Sequence, residues 1–311
     1  MTDQRLDLLK NWLQNLFASE NLALSSVNDD ASFRRYFRLT HSDGNSFIAV
    51  DAPPEKENSR TFIKIAKLLQ SNNLYAPKII ESDLEQGFLL LEDLGNTTFL
   101  QSINGERMKL YQQAIDELIK IQAIDCQKSK LSAYDEELLQ TEMQLFSNWY
   151  LPKNHTYNSQ LSPIFEALVA NALGCSQVFV HRDYHGRNLM MVAGKIAIID
   201  FQDALIGANT YDLCSLLKDA YLQLEDFEVQ KLLHYYYEKA GIKSDFSKFE
   251  KQFELMGLQR HLKILGIFTR LSVRDGKHQY LKDIPLVEQY VLKTVGKYPE
   301  FSLLKELICK Q

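Results

Sequence analysis

The sequence predicts an α+β chain of two lobes: a small antiparallel β-sheet with one helix, then a larger, mainly helical part. Three observations carry this. Five short apolar runs, separated by turn residues, fall before residue 94. From Asn104 onward apolar residues recur at helical spacing. One hairpin-like segment with a polar loop, residues 178 to 203, interrupts the helical part.

Length and composition set the outer bounds. A chain of 311 residues can bury one large core or two modest ones. Hydrophobic content of 45% and charged content of 24% are ordinary for a globular protein. A net charge of −5 argues against general nucleic-acid binding, while leaving room for a local basic patch. Cys126, Cys175, Cys214 and Cys309 stand far apart, so neither a zinc site nor a disulfide framework is suggested. No apolar run approaches membrane-spanning length. The first ten residues lack the charged-then-apolar pattern of a signal peptide. The expected setting is cytoplasmic, with no membrane and no nucleic-acid partner.

The elements follow in order. Leu6, Leu9, Leu13, Leu16 and Phe17 fall at helical spacing with Trp12 beside them, giving an opening helix over 4–17 that braces the first lobe. Leu22–Val27, Phe33–Thr40 and Phe47–Val50 read as strands, joined by turns at 28–32 and at an Asp-Gly pair. Pro53-Pro54 stops the third strand. A helix over 57–71 puts Phe62, Ile65, Ala66 and Leu69 on one face. Ile79–Glu81 and Phe88–Leu91 are two further strands. Met108–Ala123 and Asp135–Tyr150 read as helices. Ser162 is placed to cap a helix over 163–173, with Pro163 at its first position.

Val178–Val180 and Ile196–Ile199 read as strands whose ends are neighbours. The first runs into a polar loop, His181 to Asn188, and the second ends on Asp200. Phosphoryl transfer needs a carboxylate to receive the substrate hydroxyl proton, and an amide and a second carboxylate to hold metal. Asp183 is the candidate base; Asn188 and Asp200 are the candidate magnesium ligands. His-x-Asp-x4-Asn, with Asp-Phe twelve residues after the asparagine, is the spacing of the protein-kinase-like signature. The competing reading, a core hairpin with a polar turn, rarely produces a motif of this length.

The order strand, turn, strand, turn, strand, helix, strand, strand is that of a kinase N-lobe. Residues 1–94 are therefore expected to bind ATP and residues 95–311 to carry catalysis and the substrate. Two departures stand out. The first turn has no glycine; Ala31 and Ser32 would offer backbone donors to phosphate, and an ordinary hairpin turn fits as well. Asp51 stands where a lysine would hold the α- and β-phosphates. Strand alternation puts Arg34 and Arg38 on one face and Arg35 with Phe33 and Phe37 on the other. Arg35 is the expected phosphate ligand; the alternative is a buried ion pair with Asp51 or Glu57. Glu92 and Leu94, at the exit to a hinge, are expected to offer backbone groups to adenine.

Only eleven residues separate Asp200 from Asp212, and no Ala-Pro-Glu follows, so the expected substrate is a small molecule and not a peptide. Asp212 is expected to accept hydrogen bonds at a helix start or brace the catalytic loop. His185 and Arg187 would touch the γ-phosphate or substrate, or brace their loop. Asp203 is a candidate acceptor for a substrate hydroxyl. Along 258–274, Arg260, Lys263, Arg270 and Arg274 fall on one side of a helix. A solvated face is favoured there over an anion-binding surface. His261 reads as a structural histidine.

Together these residues resemble the aminoglycoside phosphotransferase-like branch of the kinase fold. Asp30-Ala-Ser-Phe-Arg-Arg-Tyr-Phe-Arg38, Asp51-Ala-Pro-Pro54, Gly87-Phe-Leu-Leu-Leu91, His181-Arg-Asp-Tyr184, Asp200-Phe-Gln-Asp-Ala204, Thr210-Tyr-Asp212, Leu255-Met-Gly257, Gln259-Arg-His-Leu-Lys263 and Arg274-Asp-Gly-Lys277 look like the anomeric amino-sugar kinases of bacterial cell-wall recycling, the N-acetylmuramate/N-acetylglucosamine 1-kinases. The resemblance spans about residues 4 to 300. It implies ATP- and magnesium-dependent phosphorylation of the sugar C1 hydroxyl. It also implies a pathway partner, a uridylyltransferase that consumes the sugar 1-phosphate. Arg260 or Arg270 would then meet the lactyl carboxylate of muramate. Because Asp51-Ala-Pro-Pro54 belongs to the resembling group, its missing lysine does not mark the chain as inactive. Two rivals stay open: the same chemistry on another alcohol (aminoglycoside, choline, homoserine or ketosamine), and a non-catalytic nucleotide-binding scaffold.

Overall fold

The computed structural model describes residues 3–18, 22–27, 33–41, 44–103, 105–152 and 157–309. The expected turn at 28–32, with Ala31 and Ser32, lies outside them. The chain divides into two compact units, Met1–Thr98 with Met190–Gln202, and Phe99–Leu189 with Asp203–Gln311.

The first unit opens with helix α1 (Gln4–Phe17), capped by the Asp3 carboxylate, which accepts from the Leu6 amide at 3.1 Å. Strands β1 (Ala23–Ser26), β2 (Arg35–Thr40) and β3 (Ser46–Asp51) follow. Helix α2 (Ser59–Ser71) is capped by Asn58 at the Thr61 amide, and strands β4 (Ile79–Asp83) and β5 (Phe88–Glu92) complete the sheet. The strand order is β1-β2-β3-β5-β4, antiparallel throughout. Leu9 and Leu13 of α1 bury against Phe37, Leu39, Ala49, Phe88 and Leu90, so the opening helix covers one face of the sheet, as its periodicity predicts. Arg35 shares that face with Phe37 and Leu39, and its register partner is Asp51.

The second unit holds helices α3 (Phe99–Ser102), α4 (Arg107–Gln122), α5 (Cys126–Ser129), α6 (Glu136–Leu145) and α7 (Asn158–Leu173), then strand β6 (Gln177–Val180). Strand β7 (Leu189–Val192) forms a hairpin with β8 (Lys195–Ile198), whereas β6 pairs with β9 (Leu205–Ala208). This corrects the expected pairing of the 178–180 and 196–199 runs. The intervening residues 189–192 are a strand, and Ala193 and Gly194, both with positive φ, make the tight turn of a two-residue hairpin. Helices α8 (Tyr211–Leu217), α9 (Asp226–Lys239), α10 (Phe246–Asp275), α11 (Ile284–Lys297) and α12 (Ser302–Ile308) finish the chain. Among the described residues no helix is long and apolar enough to cross a membrane.

Two helix boundaries differ from the sequence reading. Helix α7 starts at Asn158, so Pro163 lies inside it and Ser162 bonds Glu166 at 2.8 Å and does not act as the cap. The helix expected over 135–150 ends its α-helical part at Leu145 and continues as a π-helical turn, Phe146–Tyr150. That change occurs where Gly266 of α10 presses on Leu145. A Cβ built on Gly266 would lie 2.2 Å from the Leu145 carbonyl carbon. Helix α10 can pass this closely only because position 266 has no side chain. Gly266→Ala should therefore destabilise the protein by about 1–3 kcal/mol in chemical denaturation. Gly296→Ala, near the end of α11 with open space around it, should stay within about 0.5 kcal/mol of the parent or gain slightly.

Candidate active site

In the second unit the catalytic loop leaves β6 at His181. Arg182 takes a positive φ of 77°, a strained conformation for a residue with a side chain. The strain is held from both sides. The fully buried Asp212 carboxylate accepts from the His181 amide at 2.6 Å and the Arg182 amide at 3.0 Å. The Arg182 guanidinium bonds buried Glu142, which also accepts from Tyr134 and, at 2.9 Å, from Lys263 of α10. Asp212 thus braces the loop, the structural role its position suggested. Burial pushes its carboxyl up to about 6, against the pull of His181 and the two backbone donors.

Asp183 comes next, half-buried. Burial opposes its charge, but Lys263, His185, Arg260 and His181 outweigh burial and hold the carboxyl below its ordinary value. Asn188 donates from its side chain to the Asp183 carbonyl at 3.1 Å, and its amide bonds the His185 carbonyl at 2.9 Å, closing the loop. Asn188 and Asp183 are therefore ordered as one piece.

Asp183, His185 and Arg260 line a cavity of about 170 Å³. Tyr211, Asp219 and Lys263 add polar groups to it, and Tyr221, Phe268 and Tyr280 form an aromatic side. Arg187 is exposed and its guanidinium sits 3.4 Å from the Tyr221 ring centroid. Asp203 is exposed and Arg270 half-buried; neither is among the residues lining this cavity. The basic stripe is thus not the solvated face favoured from sequence. Arg260 and Lys263 are buried, and only its C-terminal end, where Arg274 pairs with Asp275, is open. His261 is structural as expected: its Nε2 meets the Lys218 carbonyl at 3.1 Å, and burial and the nearby Lys218 push its pKa down to about 3. Sequence reasoning left Lys263, Asp219 and Tyr221 out of the site. The first was visible in the stripe; the other two carried no signal.

In the first unit Asp200 follows β8 at a positive φ of 62°, with its carboxylate exposed and accepting from Gln202 at 2.8 Å. Phe201 is buried against Phe62 of α2, ring centroids 4.8 Å apart. Over Phe62, at 5.2 Å, lies the Arg34 guanidinium, whose Nη2 pairs with Glu57 at 3.0 Å. Half-buried Tyr36 bonds Arg34 and feels the charge of Asp200; desolvation first and that carboxylate with it push the phenol up to about 12.

Arg35 departs from expectation. Its guanidinium bonds Asp51 through Nε at 3.0 Å and Nη2 at 2.5 Å, and also bonds Asp3. Arg5 of α1 takes the other Asp51 oxygen at 2.9 Å. The ion pair weighed as the alternative is the one present, because Arg35 projects on the sheet face that α1 covers. Glu92 bonds Tyr75 and the Lys78 amide through its carboxylate, while its own amide donates to the Lys78 carbonyl at 2.8 Å. Leu94 joins Met190 and Ala197 in a small apolar cluster with Tyr75, Val192 and Ile199 against it.

Asn188 and Asp200 supply hard oxygen donors. Among the described residues no group of three or more His, Cys, Asp and Glu side chains forms a metal site. Each is a donor of the kind that magnesium takes, an ion that uses few protein ligands and completes its shell with phosphate and water.

Residues 23–244 match the phosphotransferase enzyme family. The chain is 40% identical to the N-acetylmuramate/N-acetylglucosamine kinase of Pseudomonas aeruginosa, over 98% of this chain and 96% of that one. Among solved structures it resembles Plasmodium vivax ethanolamine kinase, with a TM-score of 0.68 at 12% identity, covering 96% of this chain and 89% of the other. It also resembles the ADP-bound aminoglycoside phosphotransferase APH(2'')-Ib, with a TM-score of 0.61 at 17% identity, covering 94% and 99%. The α+β fold is thus that of the protein-kinase-like phosphotransferases. With an ionised aspartate on a braced loop, a cavity beside it and a near full-length relative at this identity, the chain belongs to the phosphotransferase enzyme family and is a small-molecule kinase.

Proposed function

We propose that the chain transfers the γ-phosphoryl group of ATP to the anomeric (C1) hydroxyl of N-acetylmuramate and of N-acetylglucosamine. The observation that carries this reading is the cavity. It sets an ionised carboxylate, two buried cations and an aromatic side around a space suited to a sugar ring. The names of the relatives supply the sugars. The product, a sugar 1-phosphate, suits a following uridylyltransferase in cytoplasmic recycling of cell-wall sugars to UDP-sugars.

In this reading residues 1–94 bind nucleotide and residues 95–311 carry catalysis and sugar binding. Asp183 orients the anomeric hydroxyl and accepts its proton late in an in-line transfer. An anomeric hydroxyl is more acidic than a simple alcohol because the ring oxygen withdraws charge. A carboxylate held below its usual pKa is therefore an adequate base. Asn188 and Asp200 are the residues that would hold magnesium, which when bound neutralises charge on the ATP phosphates. Glu92 and Leu94 mark the adenine end, where the Leu94 cluster offers an apolar surface. Ala31 and Ser32 would meet phosphate through their backbone. His185, Arg187, Asp203 and Arg270 remain candidate sugar or phosphate contacts around Asp183. We assign the phosphate-facing cation to Arg34 in place of Arg35. Arg34 pairs with Glu57 on the Tyr36 side of the sheet, where the charge of Asp200 is felt, while Arg35 is engaged by Asp51 and Asp3.

Asp183→Asn should lower kcat by about 10²–10⁴-fold while Mg-ATP still raises the melting temperature. Turnover near that of the parent would remove Asp183 as the base. Phosphorus-31 and carbon-13 NMR of the product should place the phosphate on C1. For the cation, Arg34→Met should raise the KM for ATP about tenfold or more, the scale of one charge-assisted hydrogen bond. Arg35→Ala should chiefly lower the melting temperature. The opposite pattern would return the phosphate role to Arg35.

A further inference from the structure

The cavity beside Asp183 holds two buried cations with different standing. Lys263 is satisfied: its ammonium bonds Glu142 at 2.9 Å and the Tyr211 hydroxyl at 3.2 Å. Arg260 is not. It is 5% exposed and lines the cavity, yet its Nε and Nη1 have no hydrogen-bond partner. Asp183 and Asp219 lie within electrostatic reach of Arg260 and favour its charge, but they leave these two nitrogens unbonded. A buried guanidinium with idle donors is costly unless something binds there. A guanidinium meets a carboxylate either side-on through Nε and Nη2 or end-on through Nη1 and Nη2, so either mode would employ one of the two idle donors.

Position adds to chemistry. Arg260 sits within the fully buried stretch of the 30-residue helix α10, so its backbone is fixed before any ligand arrives. The two other arginines on hand are less suited. Arg187 is exposed and stacks on Tyr221, and neither it nor Arg270 is among the residues lining the cavity. The aromatic side made by Tyr221, Phe268 and Tyr280 can take the carbon face of a pyranose while Asp183 holds its C1 hydroxyl.

Resting on the sugar-kinase reading above, we infer that Arg260 is a specificity-determining residue that binds the carboxylate of an acidic substituent on the sugar and so favours N-acetylmuramate over N-acetylglucosamine. The two sugars differ by the lactyl ether of muramate, which alone carries the carboxylate. An uncharged sugar brings Arg260 no anionic acceptor, and an acidic one brings a carboxylate that takes up an idle donor.

The experiment compares both sugars on the parent enzyme, on Arg260→Met and on Arg260→Lys, with the methyl ester of N-acetylmuramate as a third acceptor. On the parent, esterification should raise the muramate KM about 10- to 100-fold, the scale of a charge-assisted pair. Arg260→Met should produce the same rise for the free acid and abolish the difference between acid and ester, while kcat/KM for N-acetylglucosamine falls by a smaller factor than for N-acetylmuramate, the part that reflects the help Arg260 gives to the charge of Asp183. Arg260→Lys should restore part of the preference, as a point charge without the fork. Equal losses on both sugars would assign Arg260 to the ring, the phosphate or the fold, and overturn the inference. An ester that binds the parent as well as the acid would overturn it with no variant needed. Failure of the parent to phosphorylate either sugar would instead defeat the sugar-kinase reading. In that case a thermal-shift titration with N-acetylmuramate and its ester still tests Arg260, and equal shifts would count against it.

Discussion

The buried carboxylate of Glu142 is the point on which the second unit depends. It takes Arg182 from the loop, Lys263 from α10 and Tyr134 from the segment before α6. Burial works against its charge, yet Lys263 and Arg182 hold its carboxyl below the ordinary range. Breaking such a network is worse than never having built it, because the survivors are left charged and unpaired. The loop residue that contributes the arginine is also the one with strained backbone. The network thus holds Arg182 in a conformation it would otherwise leave, and Asp183 inherits its position.

The first unit repeats this arrangement for another purpose. Asp51, with no exposed surface, collects Arg5 from α1 and Arg35 from β2. Its two guanidiniums also reach the Gln86 carbonyl and Asp3, so the helix cap, the strand and the β4–β5 turn meet at one side chain. In both units a buried acid with more than one cationic partner locates elements that packing alone would leave free to slide. Apolar contacts such as Leu9 and Leu13 against the sheet supply the driving force; the acids supply the register.

Much of this was legible in the sequence. The element order of the first unit, the opening helix, the loop that carries Asp183 and the bracing role of Asp212 follow from spacing and periodicity, because those patterns encode local geometry. The misreadings arose where the answer was not local. Strand alternation placed Arg35 on the correct face, but which face α1 would cover depends on tertiary packing. The pairing of β6 with β9 is a choice of partner, which local sequence does not encode. The stripe on α10 looked solvated because a helix wheel shows only which residues share a side; the neighbours that bury that side come from distant segments. Tyr221 and Asp219 are single residues between elements, and nothing in their local sequence marks them as walls of a cavity.

Asp51 also constrains how this chain can change. A lysine at that buried position would place three cations together with Arg5 and Arg35. Either arginine alone, without the aspartate, would be left with a weaker partner. Positions 5, 35 and 51 are therefore coupled, and substitutions among them should appear together or not at all. The cluster thus binds the identity of the first few residues, through Arg5, to the chemistry at the end of the third strand.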